Sequence, residues 1–205
     1  GPSSAGKTTL LRLILGICPP LAGKIRLDGA EIAHWPQDEL GKYVGYLPQE
    51  SDLLPVSVAE NIARLGEVDS EKVVEAAKNA GAHEMIVRLP NGYDTRISQN
   101  MTNLAAGQRR LISLARALYG NPKLVVLDGP HAHLDDMGFR QFVGALNHLK
   151  QAGVTTILVT DRTNLLLGTH KMLVIKEGQV AMFGPSKDVL TKLSGGQQTQ
   201  QAAGV

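Results

Sequence analysis

The sequence holds one cysteine, Cys18, in 205 residues. A single thiol closes no internal disulfide and supplies no metal knuckle, which suits a reducing compartment and a small buried apolar role. It has no uninterrupted apolar stretch long enough to cross a bilayer, so any membrane attachment is expected to come from other sequence. A signal peptide is not expected from these residues, since Gly1 runs directly into a polar, glycine-containing loop. Charge of one sign is lacking too. The 21 Lys and Arg against 19 Asp and Glu leave a net charge of +2, with no basic run and no interleaving of aromatic with basic residues, so no nucleic-acid partner is expected. What is present, 43% hydrophobic residues, suffices for one sizeable core, or for a core with a smaller inserted subdomain.

The apolar pattern predicts a helix through Leu10, Leu11, Leu13, Ile14 and Leu15, stopped at Pro19-Pro20. Short strands follow at Lys24 to Leu27 and Glu31 to Ile32, joined by the hairpin turn Asp28-Gly29, and a third at Tyr43 to Leu47. From Val56 to about Leu118 the spacing is helical. Leu124 to Leu127 and Thr156 to Val159 are continuous apolar runs separated by a helix from about Met137 to Gln151, the pattern of buried parallel strands. Another strand is expected at Met172 to Ile175, before a Glu177-Gly178 turn. Residues 193–205, rich in Gly, Gln, Thr and Ala, are expected to be a disordered tail. The class is α/β, with a helical subdomain at about 52–118 inside a domain spanning 1–192.

Gly1, Pro2, Ser3, Ser4, Ala5, Gly6, Lys7 and Thr8 match G-x-x-x-x-G-K-[ST], with Thr9 following. In such a loop the glycines let backbone N–H groups curl around phosphate oxygens at a helix N-terminus. Lys7 would reach the β- and γ-phosphates, and the Thr8 hydroxyl would hold Mg²⁺. The buried strand that feeds such a loop would lie before Gly1, so the expectation is of a chain cut short at that edge.

Leu104-Ala105-Ala106-Gly107-Gln108, a helix ending at Leu118 and then Leu124 to Asp128 together resemble an ABC-type ATPase. Gln49 in Tyr46-Leu47-Pro48-Gln49 is similar to the Q-loop, Asp128 to the Walker B aspartate and Leu134-Asp135 to the D-loop. Val58 to Arg64, Leu89 to Thr95 and Ala117 to Pro122 are similar to bacterial type I secretion exporters of proteases and repeat toxins. The resemblance implies a P-loop (RecA-like) parallel core with antiparallel strands and an inserted helical subdomain. It implies ATP and Mg²⁺ as ligands, with Thr8, Gln49 and Asp128 on the metal. It implies a second ABC ATP-binding domain as partner, identical or different, docked head to tail so that each ATP meets the other's signature segment. It also implies a membrane-spanning exporter domain, upstream or on another chain, and a place on the cytoplasmic face of the bacterial inner membrane.

The chain departs from that pattern where hydrolysis happens. Ala105 and Ala106 stand in the signature where the family has Ser and Gly, and a lost hydrogen bond to a charged group is worth about 1.5–3 kcal/mol. Gly129 stands where the family has a catalytic glutamate, and a positioned general base contributes ~10²–10⁴-fold. Asp161 stands where the family has a histidine on the γ-phosphate, and a carboxylate there repels phosphate unless protonated or bridged by Mg²⁺. Ser98-Gln99-Asn100-Met101 replaces the acidic, glycine-rich stretch that faces the coupling helices. Binding of nucleotide with impaired turnover is expected, against two alternatives: an active ATPase with a substitute for the glutamate, and a non-enzymatic remnant. Leu193-Ser194-Gly195-Gly196-Gln197 repeats the signature wording but follows Walker B. His131, His133, Asp135 and Asp136 offer metal-ligand chemistry, which an altered D-loop accounts for without a metal.

Overall fold

The computed structural model describes residues 1–50 and 52–201. The chain divides into two compact units: residues 24–159, and residues 1–23 together with those from 160 onward. The second of these opens with α1 (Lys7–Ile14), anchored by Leu11 at 2% exposure.

In the 24–159 unit, β1 (Arg26–Leu27) and β2 (Ala30–Glu31) form the expected hairpin. Asp28 and Gly29 have φ of 49° and 86°, both left-handed, as a two-residue turn of this twist requires. α2 (Gln37–Tyr43), which the sequence reading did not predict, leads into β3 (Val44–Leu47). The helical stretch contains α3 (Val58–Ile62), α4 (Ser70–Asn79), α5 (His83–Val87) and α6 (Ala106–Leu118). Ser57 and Glu60 close a capping box on α3, and Asp69 caps α4, so both starts are written in the sequence.

β4 (Leu124–Asp128), α7 (Asp136–Gln151) and β5 (Thr155–Val159) complete the unit. The sheet order is β3-β4-β5, parallel throughout, pairing Leu47 with Leu127 and Leu127 with Leu158. Every residue of central β4 is buried, which is why its sequence runs apolar without alternation. α6 packs on α3, α4 and β3. A Cβ at Gly45 would lie 2.0 Å from the Ala117 carbonyl oxygen, so only glycine lets β3 and α6 approach this closely. Arg64, whose guanidinium burial lowers its pKa, donates to the carbonyls of Val44, Arg116, Ala117 and Tyr119 and thereby ties α3 to β3 and α6.

The other unit adds α8 (Thr163–Leu167), β6 (Lys171–Lys176), β7 (Gln179–Pro185) and α9 (Ser186–Gln201). β6 and β7 pair antiparallel about Glu177 and Gly178, at φ 51° and 75°. The turn was expected, but its return strand β7 was not: its side chains are mostly exposed, so no apolar alternation marks it. α9 continues to Gln201, started from buried Ser186 and Val189, with Gln and Thr continuing it and Gly195-Gly196 costing about 1 kcal/mol each. Residues 202–205 of the expected tail lie outside the described residues.

Candidate functional site

The phosphate loop has the backbone that its motif requires. Ser4 and Gly6 are left-handed at φ 62° and 97°, and Gly6 is the N-cap of α1. No side chain caps that helix, and its first turn holds no acidic residue, so the backbone N–H groups at this end suit an anion. Lys7 folds over the loop, its Nζ donating to the carbonyls of Gly1 (2.9 Å) and Pro2 (2.5 Å). Ala5 is buried, and its carbonyl accepts from Gly178 N–H at 3.1 Å, so the β6–β7 turn braces the loop from behind. Gly1 lies so close to β6 that a Cβ there would be 2.0 Å from the Ile175 carbonyl oxygen. Neither support has a local signature in the sequence.

The 24–159 unit brings most of the remaining expected residues together. Gln49 follows the end of β3, and Asp128, at 2% exposure, ends the neighbouring strand β4. Gly129 is left-handed at φ 54°, with its N–H donating to Val159 and its carbonyl accepting from Ala132. Among the described residues, a Cβ built there would meet only the Gln49 side chain, at 3.8 Å from Cγ. Gly129, the position expected to carry a glutamate in the family, is therefore beside Gln49.

α6 begins at the altered signature. Leu104 is buried and Ala105 is the N-cap. Gln108 Oε1 accepts from Ala105 N–H at 2.8 Å, which is half of a capping box; Ala105 has no hydroxyl to return the other half. A Cβ at Gly107 would be 3.2 Å from the His133 carbonyl oxygen, so the signature turn abuts the D-loop. Asp135 is committed to capping α7, its Oδ1 accepting from Gly138 N–H at 2.7 Å, with Leu134 packed beside Gly138. Among the described residues no group of three or more His, Cys, Asp or Glu is placed to hold a metal. Ser98 is bonded to Thr102 and Asn103, so the segment before the signature is closed on itself.

Asp161, in the other unit, is exposed two residues after β5, where Thr160 Oγ1 accepts from Arg162 N–H at 3.1 Å. The signature wording at Leu193 to Gln197 lies in the body of α9, where backbone N–H groups serve the helix, so it lacks the helix N-terminus that a signature uses.

The residue that the sequence reading missed is Arg110. It is 4% exposed on α6 and donates to the carbonyls of Pro48 (2.6 Å), Gln49 (3.1 Å), Asp128 (2.9 Å), Gly129 (2.8 Å) and Pro130 (3.2 Å). Burial pulls its pKa down to about 10 against the pull of Asp128, which leaves it charged at neutral pH. No role is assigned to it in the sequence analysis. The available signal was its spacing of four and seven residues from Leu114 and Ala117, which puts it on a buried helix face.

The residues fit their expected ligands chemically: the loop offers backbone N–H groups and an ammonium to polyphosphate, and Thr8, Gln49 and Asp128 offer the hard oxygen donors that Mg²⁺ takes.

Comparison with known proteins agrees. A family model described as "ABC transporter" matches residues 1–132. The chain is 45% identical over 202 residues to a type I secretion system ATP-binding protein, PrsD, of Rhizobium meliloti, covering 98% of this chain and 35% of the relative. It is 33% identical over 193 residues to an ATP-dependent lipid A-core flippase of Saccharophagus degradans, covering 94% of this chain and 33% of that protein. The chain thus spans about a third of the length of these relatives. A solved bacterial Atm1-family ABC exporter with ATP bound superposes with a TM-score of 0.86 at 31% identity, covering 98% of this chain and 36% of that one. With the phosphate loop, the parallel core and the ordered segments from Gln49 to Asp135, these matches establish that the chain belongs to the ABC transporter family and has its P-loop ATPase fold.

Proposed function

We propose that residues 1–192 are the ATP-binding domain of an exporter of the type I secretion kind, which binds Mg-ATP and hydrolyses it poorly. In this reading Lys7 and the loop N–H groups bind the phosphates, while Thr8, Gln49 and Asp128 bind Mg²⁺, which neutralises phosphate charge when present. The domain works as half of a head-to-tail dimer, with an identical or different ATP-binding domain, beneath a membrane-spanning exporter domain at the cytoplasmic face of the bacterial inner membrane. ATP-driven closure of the dimer would power secretion of the substrate.

The observation that carries the reading is a contrast in one chain. The loop keeps both the residues and the backbone for holding phosphate, whereas the position beside Gln49 has no carboxylate and the signature N-cap has no hydroxyl. A homodimer would carry two altered sites. In a mixed dimer, this chain's loop meets an intact signature, while the partner's glutamate faces Ala105 and Ala106.

The test is thermal stability with and without Mg-ATP, together with phosphate release. A rise in melting temperature with background phosphate release is expected. No gain in stability removes the nucleotide-binding reading. Turnover that disappears in Lys7→Ala removes the claim of impaired hydrolysis in favour of an active ATPase with a substitute base.

A further inference from the structure

Arg110 stands apart from the other site residues because nothing in the proposed chemistry calls for it. Its side chain is buried, yet its guanidinium faces backbone carbonyls from two separate segments: Pro48 and Gln49 after β3, and Asp128 at the end of β4 with Gly129 and Pro130 after it. Both segments leave the parallel sheet at the same end, since β3 and β4 pair in register from Val44↔Leu124 to Leu47↔Leu127. Chain leaving a sheet has lost its ladder partners, and buried carbonyls there need donors. A planar guanidinium fork meets several at once in a fixed geometry, which an ammonium does not. Its stem is carried by α6, the helix that starts at the signature, so the fork ties that helix to both segments.

We propose that Arg110 is a positioning residue for Mg-ATP: by holding the backbone of Gln49 and of the β4 exit against the signature helix, it sets the placement of the Gln49 and Asp128 side chains. This rests on the reading that Gln49 and Asp128 serve Mg-ATP. Arg110 touches backbone oxygens and acts on the nucleotide only through those two residues.

The experiment has two arms, both on the chain as it stands. Amide hydrogen exchange without nucleotide compares wild type with Arg110→Lys, which keeps the charge but not the fork. Exchange is expected to quicken at residues 49–50 and 129–132 while α4 and α5 stay unchanged; uniform quickening means a general structural role and overturns the proposal. Titration with a fluorescent ATP analogue and Mg²⁺ then compares wild type, Arg110→Lys, Gln49→Ala and the double variant. Each single change is expected to weaken binding ~10-fold, and the double variant clearly less than the product of the two, because Arg110 acts in part through the Gln49 side chain that the second change removes. A ~100-fold loss, the product of the two, overturns the proposal while leaving the nucleotide reading intact. Wild type that fails to bind Mg-ATP instead defeats the underlying reading, and the proposal with it. If Arg110→Lys is too unstable to titrate, Arg110→Gln takes its place, and failure of both to fold assigns Arg110 to stability alone.

Discussion

The phosphate loop and the β4 exit are built alike and furnished differently. Each turns on a left-handed glycine, Gly6 at φ 97° and Gly129 at φ 54°, and each is braced by hydrogen bonds from residues outside the expected chemistry, Gly178 for the loop and Arg110 for the exit. In the proposed reading the loop carries Lys7 and Thr8 for phosphate and metal, whereas Gly129, Ala105 and Ala106 stand at the exit and signature positions where the family resemblance implies catalytic groups. On that reading the backbone frame does not depend on the groups that do chemistry: Gln108 accepts from Ala105 N–H and Asp135 caps α7 with neither a serine at 105 nor a glutamate at 129.

The strongest way to break this comparison is to refurnish the exit. Gly129→Glu combined with Ala105→Ser and Ala106→Gly is expected to raise phosphate release by ~10²–10⁴-fold, the usual contribution of a positioned base. The left-handed backbone at residue 129 opposes the new side chain by about 1–2 kcal/mol, but space does not, since among the described residues only Gln49 Cγ, at 3.8 Å, comes within 4 Å of its Cβ. Turnover that stays at the wild-type rate would mean that the frame differs from an active one, and the contrast drawn above would fail.

The complementary change strips the loop. Lys7→Ala removes a charge-assisted contact worth about 1.5–3 kcal/mol, so ATP affinity is expected to fall about 10–100-fold in a fluorescent-nucleotide titration. The lysine's own partners in the structure are carbonyls of the exposed residues Gly1 and Pro2, so the melting temperature without nucleotide is expected to move little. An equally large loss from Ala105→Ser in the same titration would contradict the assignment of the signature to a partner's nucleotide.

The loop and the core strands were legible in the sequence because their signals are local: a glycine spacing, continuous apolar runs, and Asp28-Gly29 and Glu177-Gly178 at turns. β7 was not, because residues 179–185 are mostly exposed and show no alternation. α2 and α8 were not, being seven and five residues long, too short for a helical period to stand out. The contacts of Arg110 join positions 18 to 62 residues apart, and the brace from Gly178 to Ala5 spans still more of the chain. No local pattern encodes such pairings, so the site's reactive residues could be read from sequence while its supports could not.

A smaller effect sharpens the view of the signature as a frame without its hydroxyl. Ala105→Ser would let Oγ accept from the Gln108 N–H and complete the capping box that Gln108 already half makes. An N-cap of this kind is worth about 0.5–2 kcal/mol, which in a chain of this size corresponds to a rise of roughly 2–4 °C in melting temperature per kcal/mol. An unchanged or lowered melting temperature would show that the turn at Ala105 is not the serviceable cap that it resembles.

The smallest expected effect concerns a hydrogen bond within the helical part of the 24–159 unit. Tyr93 OH lies 2.8 Å from His83 Nδ1, joining α5 to the turn at Gly92–Asp94, and burial pushes the phenol up to about 12 from an ordinary 10. In the unfolded chain the phenol ionises near pH 10, whereas the folded chain holds its proton to about pH 12. Between those values the folded state binds more protons, so this stabilising contribution is complete below pH 10 and is lost as pH rises through 12. Because Tyr93 is partly exposed, screening should leave well under 1 kcal/mol at stake. The urea midpoint of the wild type is therefore expected to fall more between pH 9 and 11 than that of Tyr93→Phe, an order of magnitude taken from the same linkage. Identical pH dependence in the two proteins would remove Tyr93 from the frame and leave the capping and guanidinium contacts to account for it.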